Sequence, residues 1–247
     1  MLETQTVPPV DRQLEQNART RYKAKIASVS PTTSRTTFEE HDSCFLGVSL
    51  ENSNFTPAKL SGMVEWISRR FSRCTVLIGD SIHRLTLEST RGMAPDEALD
   101  HALELGRQFA KNERSVFDEY RDATDFTYLN CSDVQDGSDF TEFHDELRTF
   151  FDKDEAFRSS VELFGRSYHR KHSSGISEAE LENRIRMSSD YFLEEFAIFS
   201  CLKQYGLPVM VYPGSFSTLS EIAMGEHPGA PDELRDLIVV SLHLKGR

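Results

Sequence analysis

Several features that define common protein classes are missing from this sequence. It contains no apolar run of about 18 residues, the length that a membrane-spanning helix needs. It also lacks the G-x-x-x-x-G-K-S/T pattern of phosphate-binding loops and the G-x-G-x-x-G pattern of dinucleotide-binding domains. The sequence therefore predicts neither a membrane protein nor a nucleotide-binding enzyme of these two types.

Cysteine is scarce and scattered. The four cysteines, Cys44, Cys74, Cys131 and Cys201, lie far apart and form no C-x-x-C pair. Zinc sites and redox-active pairs place their thiols closer together than this. We expect no metal site, and reduced, mostly buried thiols in a cytoplasmic protein.

Positive charge is in deficit. The chain has 28 Lys and Arg against 40 Asp and Glu, which gives a formal net charge of −12. This charge disfavours binding to nucleic acid through the overall field, and DNA binding is not expected. Contact with phosphates depends instead on local clusters of cations. Such clusters occur at Arg69, Arg70 and Arg73, at Arg107, Lys111 and Arg114, and from Arg166 to His172.

The N-terminal segment is polar. Residues 1–35 contain Pro8, Pro9, Pro31 and a cluster of Ser and Thr, without the apolar centre of a secretory signal. We expect residues 1–40 to form a mobile arm and residues 41–247 to form one domain.

Five apolar runs in the rest of the chain predict β-strands, at residues 45–50, 74–78, 126–130, 208–212 and 237–244. Most of them are continuously apolar, which indicates parallel strands covered on both faces. Segments with helical spacing of apolar residues separate the strands. The alternation predicts a single α/β domain with a mostly parallel five-stranded sheet flanked by helices.

Ser49 ends the first predicted strand. In such sheets ligands bind outside the carboxyl ends of the strands, so a hydroxyl group there is a candidate nucleophile. The nucleophile elbow of hydrolases, G-x-S-x-G, would need a glycine where this chain has Glu51. A serine that merely ends a strand and caps a turn is the structural alternative.

Two other groups could act beside Ser49. Tyr191 and Glu195 are four residues apart in a predicted helix, so they share one helical face and could hold an amine between them. If Glu195 is buried, its pKa is raised and it could transfer protons near neutral pH. Tyr212 ends another predicted strand at the same sheet edge as Ser49. Both tyrosines could instead have only structural roles, at the surface or at the border of the core.

In this order and spacing, the residues resemble the cyclodipeptide synthases. Three motifs carry the resemblance. The G-x-S-x-x-N-x-x-F motif consists of Gly47, Ser49, Asn52 and Phe55. The Y-x-x-x-E pair is Tyr191 with Glu195, and the tyrosine-proline pair is Tyr212 with Pro213. Asn52, Tyr212 and Pro213 together resemble the subgroup named NYP after these residues.

The resemblance implies a Rossmann-like domain similar to the catalytic domain of class I aminoacyl-tRNA synthetases, usually monomeric and without a cofactor. Such enzymes use two aminoacyl-tRNAs and release a cyclic dipeptide, a 2,5-diketopiperazine, through aminoacyl and dipeptidyl esters of a serine. By this resemblance Ser49 is the nucleophile, Tyr191 and Glu195 hold the amino group, Glu195 transfers protons and the Tyr212 hydroxyl relays them.

The resemblance also implies residues that contact the substrates. Gly47 would leave room beside Ser49, while Asn52 and Pro213 would lie next to the reacting groups. Apart from the resemblance, Phe45 lies near Ser49 in the sequence, and Ile198 and Phe199 lie about one helical turn after Glu195. If these three residues line the pocket for the first aminoacyl group, that pocket is apolar. Family members carry a basic face on the helix after the second strand, and Arg107, Lys111 and Arg114 are the residues that would bind tRNA there.

Two other functions remain open at the level of the sequence. A serine hydrolase of the α/β type would need a histidine near Ser49, and His83 with Asp80 is a weak candidate. A non-catalytic module that binds aminoacyl-tRNA would not need the Ser49 hydroxyl.

Overall fold

The computed structural model describes residues 21–172, 175–215 and 217–246. Its strands are β1 (Tyr22–Ser30), β2 (Ser43–Ser49), β3 (Arg73–Gly79), β4 (Asp125–Asn130), β5 (Val209–Pro213) and β6 (Ile238–Gly246). They form one sheet with the order β1-β6-β5-β2-β3-β4. Strands β2 to β6 pair in parallel, whereas β1 is antiparallel to β6. The predicted α/β fold with a mostly parallel sheet is confirmed.

The sheet has one strand more than the five predicted. Residues 22–30, assigned from the sequence to a mobile arm, form β1, in which Tyr22 lies opposite Gly246 and Ser30 opposite Val239. The segment that follows is also ordered against the core, because the buried ring of Phe38 stacks on Trp66 with ring centroids 6.2 Å apart. The predicted arm is therefore wrong for residues 22–40, and the rest of it, residues 1–20, lies outside the described residues.

Helices cover both faces of the sheet. They are α1 (Pro57–Ser68), α2 (His83–Arg91), α3 (Pro95–Asn112), α4 (Arg114–Asp118), α5 (Cys131–Gln135), α6 (Ser138–Lys153), α7 (Glu155–His172), α8 (Glu178–Cys201), α9 (Ser217–Ala223) and α10 (Asp232–Arg235). Within the described ranges, no helix is both long and apolar enough to cross a membrane.

Two apolar layers hold the helices on the sheet, because successive residues of a strand point to opposite faces. On one face, α1 contributes Leu60 and Met63 to a core that contains Leu46 of β2. On the other face, α8 contributes Phe196 to a core that contains Phe45 of β2 and Met210 of β5. Phe45 and Ser49 are four residues apart on β2 and point to the same face of the sheet. Helix α8 therefore lies across the face that carries Ser49.

The four cysteine thiols are free and buried, as predicted. Cys44 and Cys74 lie opposite each other on β2 and β3. Burial raises the pKa of the Cys131 and Cys44 thiols well above the usual value, so these groups stay protonated near neutral pH.

Candidate active site

Ser49 and Tyr212 meet at the carboxyl edge of the sheet. They are close because β2 and β5 are parallel neighbours, in a register that places Leu46 opposite Val211. The Oγ atom of Ser49 lies 3.0 Å from the Oη atom of Tyr212, a hydrogen bond in which either hydroxyl could donate. The structure thus joins two residues that are 163 positions apart in sequence.

Gly47 leaves space for the Tyr212 ring. A Cβ atom at this position would lie 3.5 Å from Cδ2 of Tyr212 and 3.5 Å from Cε of Met210, which are ordinary contact distances. Any side chain longer than alanine would therefore press on the tyrosine that contacts Ser49. The glycine of the motif acts through Tyr212 in this way.

Tyr191 and Glu195 lie on α8 and face the same cavity as Ser49 and Tyr212. The Tyr191 hydroxyl donates to Oε1 of Glu195 at 3.4 Å. Glu195 is only 6% exposed, and its Oε2 atom has no hydrogen-bond partner within the described part of the chain. An unpaired, buried carboxylate oxygen that faces a cavity is suited to accept a proton or to bind an amine.

The electrostatics of the three titratable groups, Tyr191, Glu195 and Tyr212, favour their protonated forms. Burial, opposed by the hydrogen bond from Tyr191, raises the pKa of Glu195 from 4.5 to about 8. Burial also raises the pKa of Tyr212 to about 12, despite its hydrogen bond with Ser49. Burial and the nearby Glu195 and Tyr212 raise the pKa of Tyr191 well above its usual value. Near neutral pH both phenols can therefore donate hydrogen bonds, and Glu195 titrates close to the pH at which an α-amino group does.

The cavity has a volume of about 610 Å³ and a lining of mixed polarity. Its polar residues include Asn52, His83, Arg91 and several Ser and Thr residues. Its apolar residues include Phe164, Met187, Phe192, Phe196 and Leu219, which we call the apolar wall. The Phe164 and Phe192 rings are 5.1 Å apart in an edge-to-face arrangement.

Asn52 and Phe55 support the site from the loop after β2. The Oδ1 atom of Asn52 accepts a hydrogen bond from the backbone N–H of Asn54 at 2.9 Å and caps a short 3₁₀ turn. This turn buries Phe55 against the Tyr212 ring, with ring centroids 5.9 Å apart. The loop thus fixes the orientation of Tyr212.

The predicted pocket residues Phe45, Ile198 and Phe199 are not in the cavity wall. They are fully or almost fully buried in the core, where the Phe45 and Phe199 rings are 5.5 Å apart. Phe45 shares a face with Ser49, but it lies four residues earlier on the strand, which is about 13 Å deeper. Pro213 is also buried and does not line the cavity.

The histidine required for a hydrolase triad is engaged elsewhere. The Nε2 atom of His83 lies 3.1 Å from Oε2 of Glu51, and the Asp80 carboxylate accepts hydrogen bonds from the N–H and the hydroxyl of Ser132 at 2.9 and 2.7 Å. The structure therefore gives Ser49 a phenol, Tyr212, in place of a histidine. Sequence reasoning missed the partnership between Glu51 and His83, which no local pattern indicates.

The basic residues predicted to bind tRNA are exposed but mostly paired. Arg107 on α3 donates to Glu104 at 2.9 Å, and Arg114 on α4 lies 3.7 Å from Asp118. Lys111 is exposed on the same helix as Arg107. The exposed surface of α3 also carries Asp96, Glu97 and Asp100.

A second basic surface, missed in the sequence, lies on β1 and β6. Lys23 pairs opposite Lys245, and Lys25 opposite His243, so the four side chains project from one face, and all are exposed. We call these four residues the basic ladder. Neither strand contains Asp or Glu.

The basic ladder shares a sheet face and a sheet edge with Ser49. Ala24, which alternates with the two lysines, belongs to the α1 core, so the ladder lies on the opposite face, the one that α8 covers. Tyr212 lies opposite Ser241, so His243 and Lys245 continue just beyond the carboxyl edge at which Ser49 and Tyr212 meet.

Comparisons with known proteins identify the family of the chain. The family model described as cyclodipeptide synthase matches residues 27–201. No curated protein sequence matches the chain.

Solved structures of similar fold are also cyclodipeptide synthases by their descriptions. One from Fluoribacter dumoffii has a TM-score of 0.77 and 19% identity, over 93% of this chain and 100% of that chain. A Mycobacterium tuberculosis protein, described as showing that cyclodipeptide synthetases are related to type I tRNA synthetases, has a TM-score of 0.67 and 18% identity, over 92% and 94%. One from Candidatus Glomeribacter gigasporarum, bound to Phe-tRNAPhe, has a TM-score of 0.63 and 16% identity, over 81% and 86%.

Proposed function

The chain belongs to the cyclodipeptide synthase family, which makes cyclic dipeptides from aminoacyl-tRNAs, and we propose that Ser49 is the nucleophile of this reaction. The observation that carries the proposal is the 3.0 Å contact between the Ser49 and Tyr212 hydroxyls in the cavity that Tyr191 and Glu195 also line. The four groups come from two strand ends and one helix.

In the first step, the Oγ atom of Ser49 attacks the ester carbonyl of the first aminoacyl-tRNA. A bond forms between Oγ and the carbonyl carbon, and the bond from that carbon to the ribose oxygen breaks. The serine proton passes to the leaving ribose oxygen, with the Tyr212 hydroxyl as the relay. Because one ester replaces another, the site mainly has to orient the reactants, and a strong general base is not required.

In the second step, Tyr191 and Glu195 hold the amino group of the aminoacyl-Ser49 ester. Glu195 removes a proton from the ammonium form, since its pKa of about 8 is close to that of an α-amino group. The amine then attacks the ester carbonyl of the second aminoacyl-tRNA and forms a peptide bond. The bond from that carbon to the ribose oxygen breaks, and the proton that the nitrogen loses passes to this oxygen as the second tRNA leaves. Finally, the new amino terminus attacks the Ser49 ester, so that the cyclic dipeptide leaves and Oγ regains its proton through Tyr212.

The apolar wall of the cavity supports a large apolar or aromatic side chain on one of the two aminoacyl groups. In this proposal Phe192 and Leu219 take the role that the sequence assigned to Phe45, Ile198 and Phe199. Asn52, Tyr212 and Pro213 support membership in the NYP subgroup. Since β1 completes the sheet, we also propose that residues 22–246 form a single domain.

The basic ladder supports contact with the phosphates of the tRNA. Like charges directly opposite each other on paired strands destabilise a sheet, so a ligand that neutralises them would be favoured. Arg107 and Arg114 have their own carboxylate partners, and of the three predicted tRNA-binding residues we assign a further contact to Lys111. The two surfaces would lie on opposite faces of the sheet, because the ladder is on the α8 face whereas Leu105 and Phe109 of α3 pack against the α1 core.

Mass spectrometry of the culture medium after bacterial expression tests the function. We expect a diketopiperazine from the wild type and none from Ser49→Ala. Ser72→Ala is the matched control, because Ser72 precedes β3 at the opposite edge of the sheet and its exposed hydroxyl donates to the carbonyl of Asp42, away from the cavity. Product from Ser49→Ala, or hydrolysis of simple esters without any diketopiperazine, would contradict the proposal.

A further inference from the structure

Helix α2 holds the loop that follows the nucleophile. Glu51 has a φ of 55°, and it is the only non-glycine residue of the described chain with a positive φ. Its Oε2 atom accepts a hydrogen bond from Arg91 at 2.6 Å and lies 3.1 Å from Nε2 of His83. These are the last and first residues of α2. Because Glu51 is two residues after Ser49, α2 fixes the backbone that presents the nucleophile.

The same helix also holds α8 beside the amine-binding carboxylate. Arg84 donates two parallel hydrogen bonds to Glu194, at 2.5 and 2.9 Å. Gln135 donates to the same carboxylate at 2.9 Å and accepts from Ser81 at 2.5 Å. Glu194 precedes Glu195, so this bidentate contact fixes the turn of α8 that carries Glu195.

The two halves of the active site therefore share one support. Direct contacts also exist within the site: Ser49 bonds to Tyr212, Tyr191 bonds to Glu195, and a hydrogen bond with Ser49 opposes the rise that burial causes in the pKa of Tyr191. Helix α2 packs against α8. It makes charged contacts to Glu51 in the loop after Ser49 and to Glu194 beside Glu195. Arg84 itself does not line the cavity.

Building on the function proposed above, we propose that α2 sets the separation between the nucleophile and the amine-holding carboxylate. Arg91 is the positioning residue for Ser49, acting through Glu51, and Arg84 is the positioning residue for Glu195, acting through Glu194. Each arginine then governs a different chemical step. Arg91 governs acylation of Ser49, and Arg84 governs attack by the bound amine.

The test measures the two steps separately for Arg84→Met and Arg91→Met. Single-turnover acylation of Ser49 by an aminoacyl-tRNA is followed by intact-protein mass spectrometry, and conversion of the acyl-enzyme by a second aminoacyl-tRNA is followed as diketopiperazine. Displacement of a reacting group by about 1 Å costs about 100-fold in rate. We expect a loss of that order in acylation for Arg91→Met, and in conversion of the acyl-enzyme for Arg84→Met.

Lys203→Met is the matched control, because it removes a surface ion pair, with Asp236 at 2.8 Å, from the turn after α8. It should change neither step. If a Met variant does not fold, the Lys variant at the same position should slow the same one of the two steps, by a smaller factor. Equal losses in both steps, or no loss, would overturn the role of α2 while leaving the function intact. A wild type that forms no acyl-enzyme would overturn both.

Discussion

Replacement of Glu195 by glutamine should stabilise the fold while it abolishes the reaction. In the wild type, burial raises the pKa of this carboxyl from 4.5 to about 8. The folded protein therefore retains a proton that the unfolded chain releases, and the free energy of unfolding falls as the pH rises between these two values. A difference of about 3.5 pH units corresponds to a cost of about 5 kcal/mol above pH 8, of which about 3 kcal/mol is present at pH 7.

Below pH 4.5 the carboxyl is protonated in both states and this cost is absent. Glutamine carries no charge at any of these pH values, so Glu195→Gln should gain stability over the wild type progressively from pH 4.5 to pH 8. Urea unfolding followed by circular dichroism at pH 4.5, 7 and 9 measures this difference. The same variant should make little or no diketopiperazine, since it cannot accept a proton from the substrate ammonium group.

The neighbouring residue provides the matched comparison. Glu194 is as buried as Glu195, but Arg84 and Gln135 bond to its carboxylate. Glu194→Gln should therefore destabilise the protein at all three pH values, because it leaves the Arg84 guanidinium without its ionic partner. A stability difference for Glu195→Gln that does not change with pH, or a variant less stable than the wild type at pH 9, would refute the reasoning.

Three further predictions follow from the contacts around Ser49 and on the sheet edge. Tyr212→Phe removes the proton relay but keeps the ring, so the rate of product formation should fall by about 10²- to 10⁴-fold with little change in thermal stability; an unchanged rate would exclude the relay. Phe55→Ala should lower the free energy of unfolding by about 3–5 kcal/mol and also slow the reaction, because the Tyr212 ring loses its support. Urea unfolding and product assays on the same sample measure both effects. A normal reaction rate in a destabilised protein would contradict the supporting role of Phe55. Lys23→Glu with Lys25→Glu should raise the KM for aminoacyl-tRNA. The slope of log K for tRNA binding against log salt concentration should become shallower by about one for each lost phosphate contact. The same slope as the wild type would exclude the ladder as the tRNA surface.

The positions of the candidate catalytic residues could be predicted from the sequence, because residue spacing and the alternation of strands and helices indicate where each of them lies. The four-residue spacing of Tyr191 and Glu195 puts them on one helical face, and the parallel alternation of strands and helices puts Ser49 and Tyr212 at one sheet edge. These rules give the face or edge on which a side chain lies. They do not give its depth, which is why Phe45 was predicted in the pocket and is in the core.

The remaining features depend on contacts between distant segments. Glu51 meets His83 and Arg91 over separations of 32 and 40 residues, and its positive φ is invisible in the sequence. Strand β1 was missed because its apolar residues are few and alternate with Lys23 and Lys25. That alternation is itself typical of a strand with one exposed face, and it was the available signal.

The pairing of β1 with β6 has a consequence for the order of synthesis. Tyr22, in the first strand of the described chain, lies opposite Gly246 in the last, so the pairing of β1 with β6 is complete only after residue 246 has been made. The basic ladder draws two residues from each of these strands, and it is therefore among the last surfaces to be assembled. A nascent chain that already contains Ser49, Glu195 and Tyr212 would still lack this surface, so the proposed reacting groups are made before the ladder that we propose attracts tRNA.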